Sequence, residues 1–346
     1  MAINAYYHVT PAGALAKDGS DWANAMGLGE FETSIEGGGA QAAQAGDVFF
    51  IMEGTYTFTS IIDFNAIDGT AVAPIALIGV KDTTTNEGAN VAYSDWAILQ
   101  ADMPFFDCNT NYMRTGNWCI VRNISFEGES TQVLNIDAGA LVENCKFNHD
   151  GAAPAAEFCI KTAFALYERI INCEFTSLNA GGIEATNSVR VAFCYFHDIT
   201  DSTNGVGVLT ESGSTVFAFN IFDDVYTAML FTADSGQFVL NNTFYDGNIA
   251  VSATDDDGCC CINNIIEATA SDGFKWTTQI DGNFFWKNHG DDVRCNDMWD
   301  LVDTTTIYQD YEVSTGDPKF GVAGADFSLD SDSPNIDNGM SIILGV

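Results

Sequence analysis

Positive charge is what this chain has least of. It carries 12 Lys and Arg against 48 Asp and Glu, a formal net charge of −36 over 346 residues. Such a surface repels nucleic acid, whose phosphates need Lys and Arg, and it disfavours anionic membranes. Proline is scarce, with 6 residues, and long amphipathic helices are missing. No apolar run approaches the roughly 18 residues of a membrane span. The opening MAINAYYHVTPAG has neither the basic start nor the apolar run of a secretory signal, so folding in a cytoplasm is expected. The ten cysteines agree: their spacing is not a secreted disulfide framework, and no CxxC pair faces a second one.

What is abundant is Phe, with 25 residues, and Gly, with 32. Much of the Phe sits in a recurring phrase: RNISF at 122–126, ENCKF at 143–147, INCEF at 171–175, AFCYF at 192–196, AFNIF at 218–222, LNNTF at 240–244, INNII at 262–266 and DGNFF at 281–285. The steps are 21, 28, 21, 26, 22, 22 and 19 residues. Self-similarity at this period predicts a solenoid with one coil per repeat, its core made by stacking.

Aligned on the last residue, the repeats give columns. Phe126, Phe147, Phe175, Phe196, Phe222, Phe244, Ile266 and Phe285 form an inward aromatic ladder. Two residues earlier stand Cys145, Cys173 and Cys194, expected as stacked, buried thiols, then Asn220, Asn242 and Asn264, expected as a turn ladder bonding from coil to coil. Six residues before the anchor the side chains should point outward: Ile120, Leu141, Arg169, Arg190, Val216 and Phe238. The apolar members, with Ile221, predict a seam along the rod that a homo-oligomer would cover. Arg169 and Arg190 should stack on adjacent coils, so Glu168, Glu184 or a bound anion is expected to offset them.

Residues 1–56 read as an N-terminal cap, with a helix begun by Ser20 or Asp21 and carrying Trp22, Met26 and Phe31. Residues 57–290 read as about ten coils, and 291–346 as an irregular C-terminal cap. On these features the sequence resembles the right-handed parallel β-helix of the pectate-lyase-like superfold. The opening YYHVTPAG, DGSDWANA and GDVFFIMEGTYTF and the closing DPKF and FSLDSDSPNIDNG resemble the two ends of such proteins. The resemblance implies an all-β fold. It is nearly silent on function, because lyases, hydrolases, adhesins and phage tailspikes share the architecture.

The pectate lyases of that fold use Ca²⁺-holding carboxylates and a basic residue, and its glycosidases use paired carboxylates. Candidates here are His149 and His197, each followed by Asp and so each a base–acid pair or an exposed turn, together with Asp198 and Glu184. Asp255, Asp256 and Asp257 are candidate Ca²⁺ ligands or a solvated turn; no other cofactor is implied. The leading expectation is a structural surface protein of a bacteriophage virion: a head fibre, decoration or tail-spike subunit, glycan-binding or not. It would be a trimer by analogy with phage β-helix proteins, made in the host cytoplasm. The alternatives are a polysaccharide lyase or glycoside hydrolase, and a cell-surface adhesin.

Overall fold

The computed structural model describes residues 2–276, apart from 39–40, 65–66, 130, 150–156, 163–167, 178–179, 233–235, 255–258 and 268–271. Beyond them it describes four strands: Phe284–Trp286, Tyr308–Gln309, Phe320–Val322 and Asp326–Leu329. Side chains are described as far as residue 267. Asp150 and the candidate Ca²⁺ ligands Asp255, Asp256 and Asp257 lie outside the described residues.

Three parallel sheets wrap one core. Sheet I has twelve strands, from Tyr6–Val9 to Tyr308–Gln309; sheet II has nine, from Thr55–Thr57 to Ile265–Glu267; sheet III has nine, from Ile62–Asp63 to Asp272–Trp276. Each coil visits I, II and III in turn, as in Leu141–Glu143, Lys146–His149 and Phe158–Thr162. Within these sheets each strand pairs with its equivalent one coil away, as Phe147 pairs with Phe126 and Phe175, while Phe320–Val322 and Asp326–Leu329 form a separate antiparallel pair. Nine coils at about 4.8 Å each give a body roughly 40 Å long. This is a parallel β-helix, right-handed as β-crossovers are.

The anchor Phe residues fill the interior of sheet II. Their rings stack face to face at 5.2, 5.1, 4.6, 4.6 and 5.2 Å from Phe126 through Phe244. Opposite them sheet III is thinned to glycine: a Cβ on Gly182 would lie 2.9 Å from the Phe196 ring. The final repeat does not join this column. Phe285 pairs with Cys261 on sheet I, not with Ile266. It follows Cys261 by 24 residues, a normal coil, whereas the 19-residue step to Ile266 was too short for one.

The turn from sheet I to sheet II is two residues long, as at Asn144 and Cys145. Its first residue has a positive φ in seven successive coils: Asn123, Asn144, Asn172, Phe193, Phe219, Asn241 and Asn263. The left-handed position is therefore one residue before Asn220, Asn242 and Asn264, which are buried instead. Their amides donate to the carbonyls of Val191, Phe217 and Val239 in the preceding coil, each at 3.0 Å. Cys145, Cys173 and Cys194 are free, buried thiols that donate to the equivalent carbonyls of Val121, Val142 and Ile170 at 3.6–3.7 Å.

The single helix expected near the start is broken in two. Asp21 caps a 3₁₀ turn, Trp22–Asn24, accepting from the Asn24 N–H at 2.8 Å. The α-helix, α1, begins only at Leu28 and runs to Ile35, with Glu30 reaching back to the Gly27 N–H. A second apolar layer covers the outside of sheet I, where Val48, Phe50 and Ile78 meet Trp22, Val91, Trp96 and Ile120. Much of it comes from an insertion, residues 81–104, between the strands Ile75–Val80 and Phe105–Asp107.

This layer interrupts the outward apolar column. Ile120 packs under it and Leu141 is only 8% exposed. Arg169 and Arg190 then cut the column, Val216 and Ile221 are half-buried, and only Phe238, at 41%, is open. Among the described residues these positions do not form one continuous exposed apolar column.

Candidate functional site

The sites expected from sequence scatter over three faces. His149 is not an exposed turn residue. It is fully buried on the inner side of Lys146–His149, with Nε2 3.4 Å from Glu157 Oε2. Glu184 lies on sheet III, apart from His197 on sheet II, and binds Lys161 at 2.5 Å. Arg169 and Arg190 are in register and exposed, and no carboxylate comes within ion-pair distance among the described residues. Glu184 is engaged elsewhere, and Glu168 faces inward. Glu168 is fully buried, with neither oxygen hydrogen-bonded among the described residues. Desolvation pushes its carboxyl up to about 7.

Only His197 and Asp198 fall in a cluster. It lies on the outer face of sheet II, where alternation brings two columns to the surface. One carries Lys146, Glu174, Tyr195 and Ile221; the other carries Asn148, Thr176, His197 and Asp223. Glu174 is the hub. Its Oε1 accepts from Lys146 Nζ at 2.9 Å and faces His197 Nε2 at 3.3 Å, and its other oxygen accepts from Gln100 of the insertion. His197 Nδ1 meets Asp198 Oδ2 at 2.7 Å. Tyr195 stacks on His197 at 4.5 Å and donates its hydroxyl to Asp223 Oδ2 at 3.0 Å.

These contacts drive the two carboxylates apart. The His197 bond, with those of Lys146 and Gln100, holds Glu174 down to about 2. Desolvation raises Asp223 above the ordinary Asp range. The bond to Glu174, then that to Asp198, raises His197, which favours its protonated form. Burial and the bond to Asp223 raise Tyr195, which keeps it a phenol. Glu174 and Asp223 are thus shifted in opposite directions, on strands two steps apart with Tyr195 and His197 on the strand between them.

Beside this cluster is a cavity of about 170 Å³ lined by Gln100, Asn144, Asn172, Glu174, Phe193 and Tyr195, among others. A larger hollow of about 300 Å³ lies in the N-terminal cap around Lys17 and Glu30, without a cluster of reactive groups. A second polar row runs along sheet III, where Arg114 lies 3.3 Å from Asp137 and Lys161 binds Glu184. Among the described residues no group of three or more His, Cys, Asp or Glu could hold a metal.

Glu174 was not found from sequence, and Tyr195 and Asp223 were read only as an outward apolar residue and part of an acidic turn. The signal existed: they occupy the positions just before and just after the anchor Phe in successive repeats. Outward polar columns can be read as inward apolar ones are.

No protein-family model matches the chain, and no curated protein matches it. Solved structures do. Pectate lyase Pel9A superposes over 100% of this chain and 94% of its own, with a TM-score of 0.63 at 14% identity. The alginate lyase AlyGC covers 77% of this chain, which spans only 38% of it, with a TM-score of 0.55 at 14% identity. An alginate lyase from Paenibacillus covers 79% of this chain and 99% of its own, with a TM-score of 0.50 at 12% identity. At such identities the likeness establishes the pectate-lyase-like β-helix fold.

Proposed function

We propose that the protein is a polysaccharide-degrading enzyme and that the outer face of sheet II is its active site, acting by glycoside hydrolysis. The observation that carries this reading is the split between Glu174 and Asp223. Two carboxyls whose environments push their proton affinities in opposite directions are the signature of an acid–base pair. Asp223 would protonate the leaving glycosidic oxygen, and ionised Glu174 would activate water. Lys146 and His197 hold Glu174 ionised and oriented.

The first sequence expectation, a virion subunit, rested on composition and fold, and nothing in the described residues adds to it. The depolymerase alternative gains both a site and structural neighbours that are named as polysaccharide lyases.

A lyase reading has its own observation: Lys161 and Arg114 share one outward row of sheet III with Asn135 between them. A cation there could neutralise a uronate carboxylate while a base takes the adjacent proton. One assay separates the two. Incubation with a panel of neutral and uronic-acid polysaccharides is read for reducing ends and for the ultraviolet absorbance of unsaturated ends. Hydrolysis at sheet II gives reducing ends without absorbance, abolished in Glu174→Gln and Asp223→Asn. Absorbance that disappears in Lys161→Ala would replace this reading with the lyase one.

A further inference from the structure

The turn between sheets I and II follows one rule with two exceptions. Of the seven positive-φ positions, five are Asn and two, Phe193 and Phe219, are Phe. Asn tolerates the left-handed region, whereas a bulky side chain there is an outlier. The Asn residues also form a ladder. Asn144 donates to Asn123 at 2.8 Å, Asn172 to Asn144 at 3.0 Å, and Asn263 to Asn241 at 2.6 Å. The two Phe residues break it, so Asn172 Oδ1 lacks the amide donor that an Asn at 193 would supply. The left-handed backbone and the broken amide ladder both disfavour Phe at this place.

What the exception produces is a stacked aromatic pair in which Phe193 remains open toward the cavity while Phe219 backs it from the next coil. Phe193 and Phe219 stack at 5.1 Å with their rings within 4° of parallel, and Phe193 is 57% exposed. Phe193 lines the cavity beside Glu174, with Asn144, Asn172 and Gln100 around it. The insertion forms the opposite wall, where Asn144 is tied to the Ile98 carbonyl at 3.1 Å. Phe193, Tyr195 and His197 alternate along one strand and its entry, an outward row of about 13 Å.

We propose that Phe193 and Phe219 form a sugar-stacking subsite for a neutral polysaccharide, in line with the acid–base cluster; the inference rests on the glycan reading of sheet II. A pyranose has an apolar C–H face and a polar rim. An exposed ring edged by amides and a carboxylate matches both, a hydrophobic lining with a few placed polar groups. The charge balance selects against polyuronates: Lys146 and His197 stand against Glu174, Asp198 and Asp224 around this site.

Phe193→Asn tests it, because Asn is what five other coils carry there. A purely structural role for Phe193 predicts a less stable variant. A sugar platform predicts a variant as stable as the parent or more so, by thermal unfolding, whose glycan affinity drops at least tenfold. Binding is measured by affinity electrophoresis in gels containing β-glucan, xylan, galactomannan, dextran, alginate or polygalacturonate, where no bond need be cut. The parent should be retarded by at least one neutral gel and by neither uronate gel, and the Phe193→Asn/Phe219→Asn double variant by none. Retardation that survives Phe193→Asn, retardation by uronates alone, or no retardation in any gel overturns the proposal. So does self-association of the parent, by light scattering, that the substitution abolishes without any glycan effect. Phe193-dependent retardation without turnover supports the platform and removes only the hydrolase reading; turnover with Phe193-independent retardation does the reverse.

Discussion

The Cys194 N–H donates to Asn220 Oδ1 across one coil, at 2.9 Å, and this bond joins two halves of a single ladder. Below it, the Asn220 N–H donates to Asn242 Oδ1 and the Asn242 N–H to Asn264 Oδ1, each at 2.9 Å. Above it, the Cys173 N–H meets Cys194 Sγ at 3.5 Å. Thiol and amide do the same work in one register: each donates back to the coil before and accepts from it as well. The amide does it over shorter distances.

Asn242 should therefore be costly to remove and replaceable by cysteine. Asn242→Ala leaves the Asn220 N–H and the Phe217 carbonyl buried and unmatched, a loss of about 2–4 kcal/mol. Asn242→Cys should recover part of it. Denaturant unfolding of the three proteins checks this; equal losses for Ala and Cys would show that the thiol contributes only volume.

Phe175 lies at the middle of the ring stack, fully buried between Phe147 and Phe196. Phe175→Ala should cost about 3–5 kcal/mol. Phe175→Leu keeps most of the volume but loses two aromatic pairs, each worth roughly 0.5–1.5 kcal/mol, and should fall between. Thermal unfolding gives the order.

Glu168 makes stability depend on pH in an uncommon direction. Its folded value is raised from 4.5 to about 7, so below the unfolded value it costs nothing extra. Between pH 4.5 and about 7 the unfolded chain loses its proton first and stability falls. The loss is at most about 3 kcal/mol by linkage. Glu168→Val, matching Val189 in the next coil, should raise stability at pH 8 and leave it little changed at pH 4. An equal gain at both values would separate the effect from ionisation.

If Glu174 and Asp223 are the acid–base pair, turnover should have a bell-shaped pH profile. The acid limb is set by Glu174 near 2. The alkaline limb is set by loss of the Asp223 proton, which desolvation shifts upward from the ordinary Asp value. Glu174→Gln should remove the acid limb along with most of the rate, and Asp223→Asn the alkaline one. A rate that rises through neutral pH would point to a base elsewhere.

The fold was legible because burial repeats. Phe126 through Phe244 recur at intervals that can each be one coil, and only an inward position has reason to keep Phe so often. The slip at Phe285 shows the limit: a short step was accepted where the strand had moved to another sheet. The site was less legible because stacking, not sequence proximity, assembles it. Glu174, Tyr195 and Asp223 span 50 residues, and the insertion supplies Gln100 from three coils earlier. His197 was noticed for its neighbour Asp198, yet the partner that governs its charge is Glu174, one strand away. His149 was misread because the same histidine–aspartate pair falls two residues after its anchor rather than one, and that single step turns the ring inward.

The ladder through Cys194 and Asn220 also limits how the chain can change length. Each rung is completed by a donor and an acceptor in neighbouring coils, so removing part of a coil strands groups on both sides. Removing a whole coil, from one rung to the next, rejoins like with like. Insertions and deletions in proteins of this design should therefore come in whole coils, or else as loops such as 81–104 that leave the column untouched.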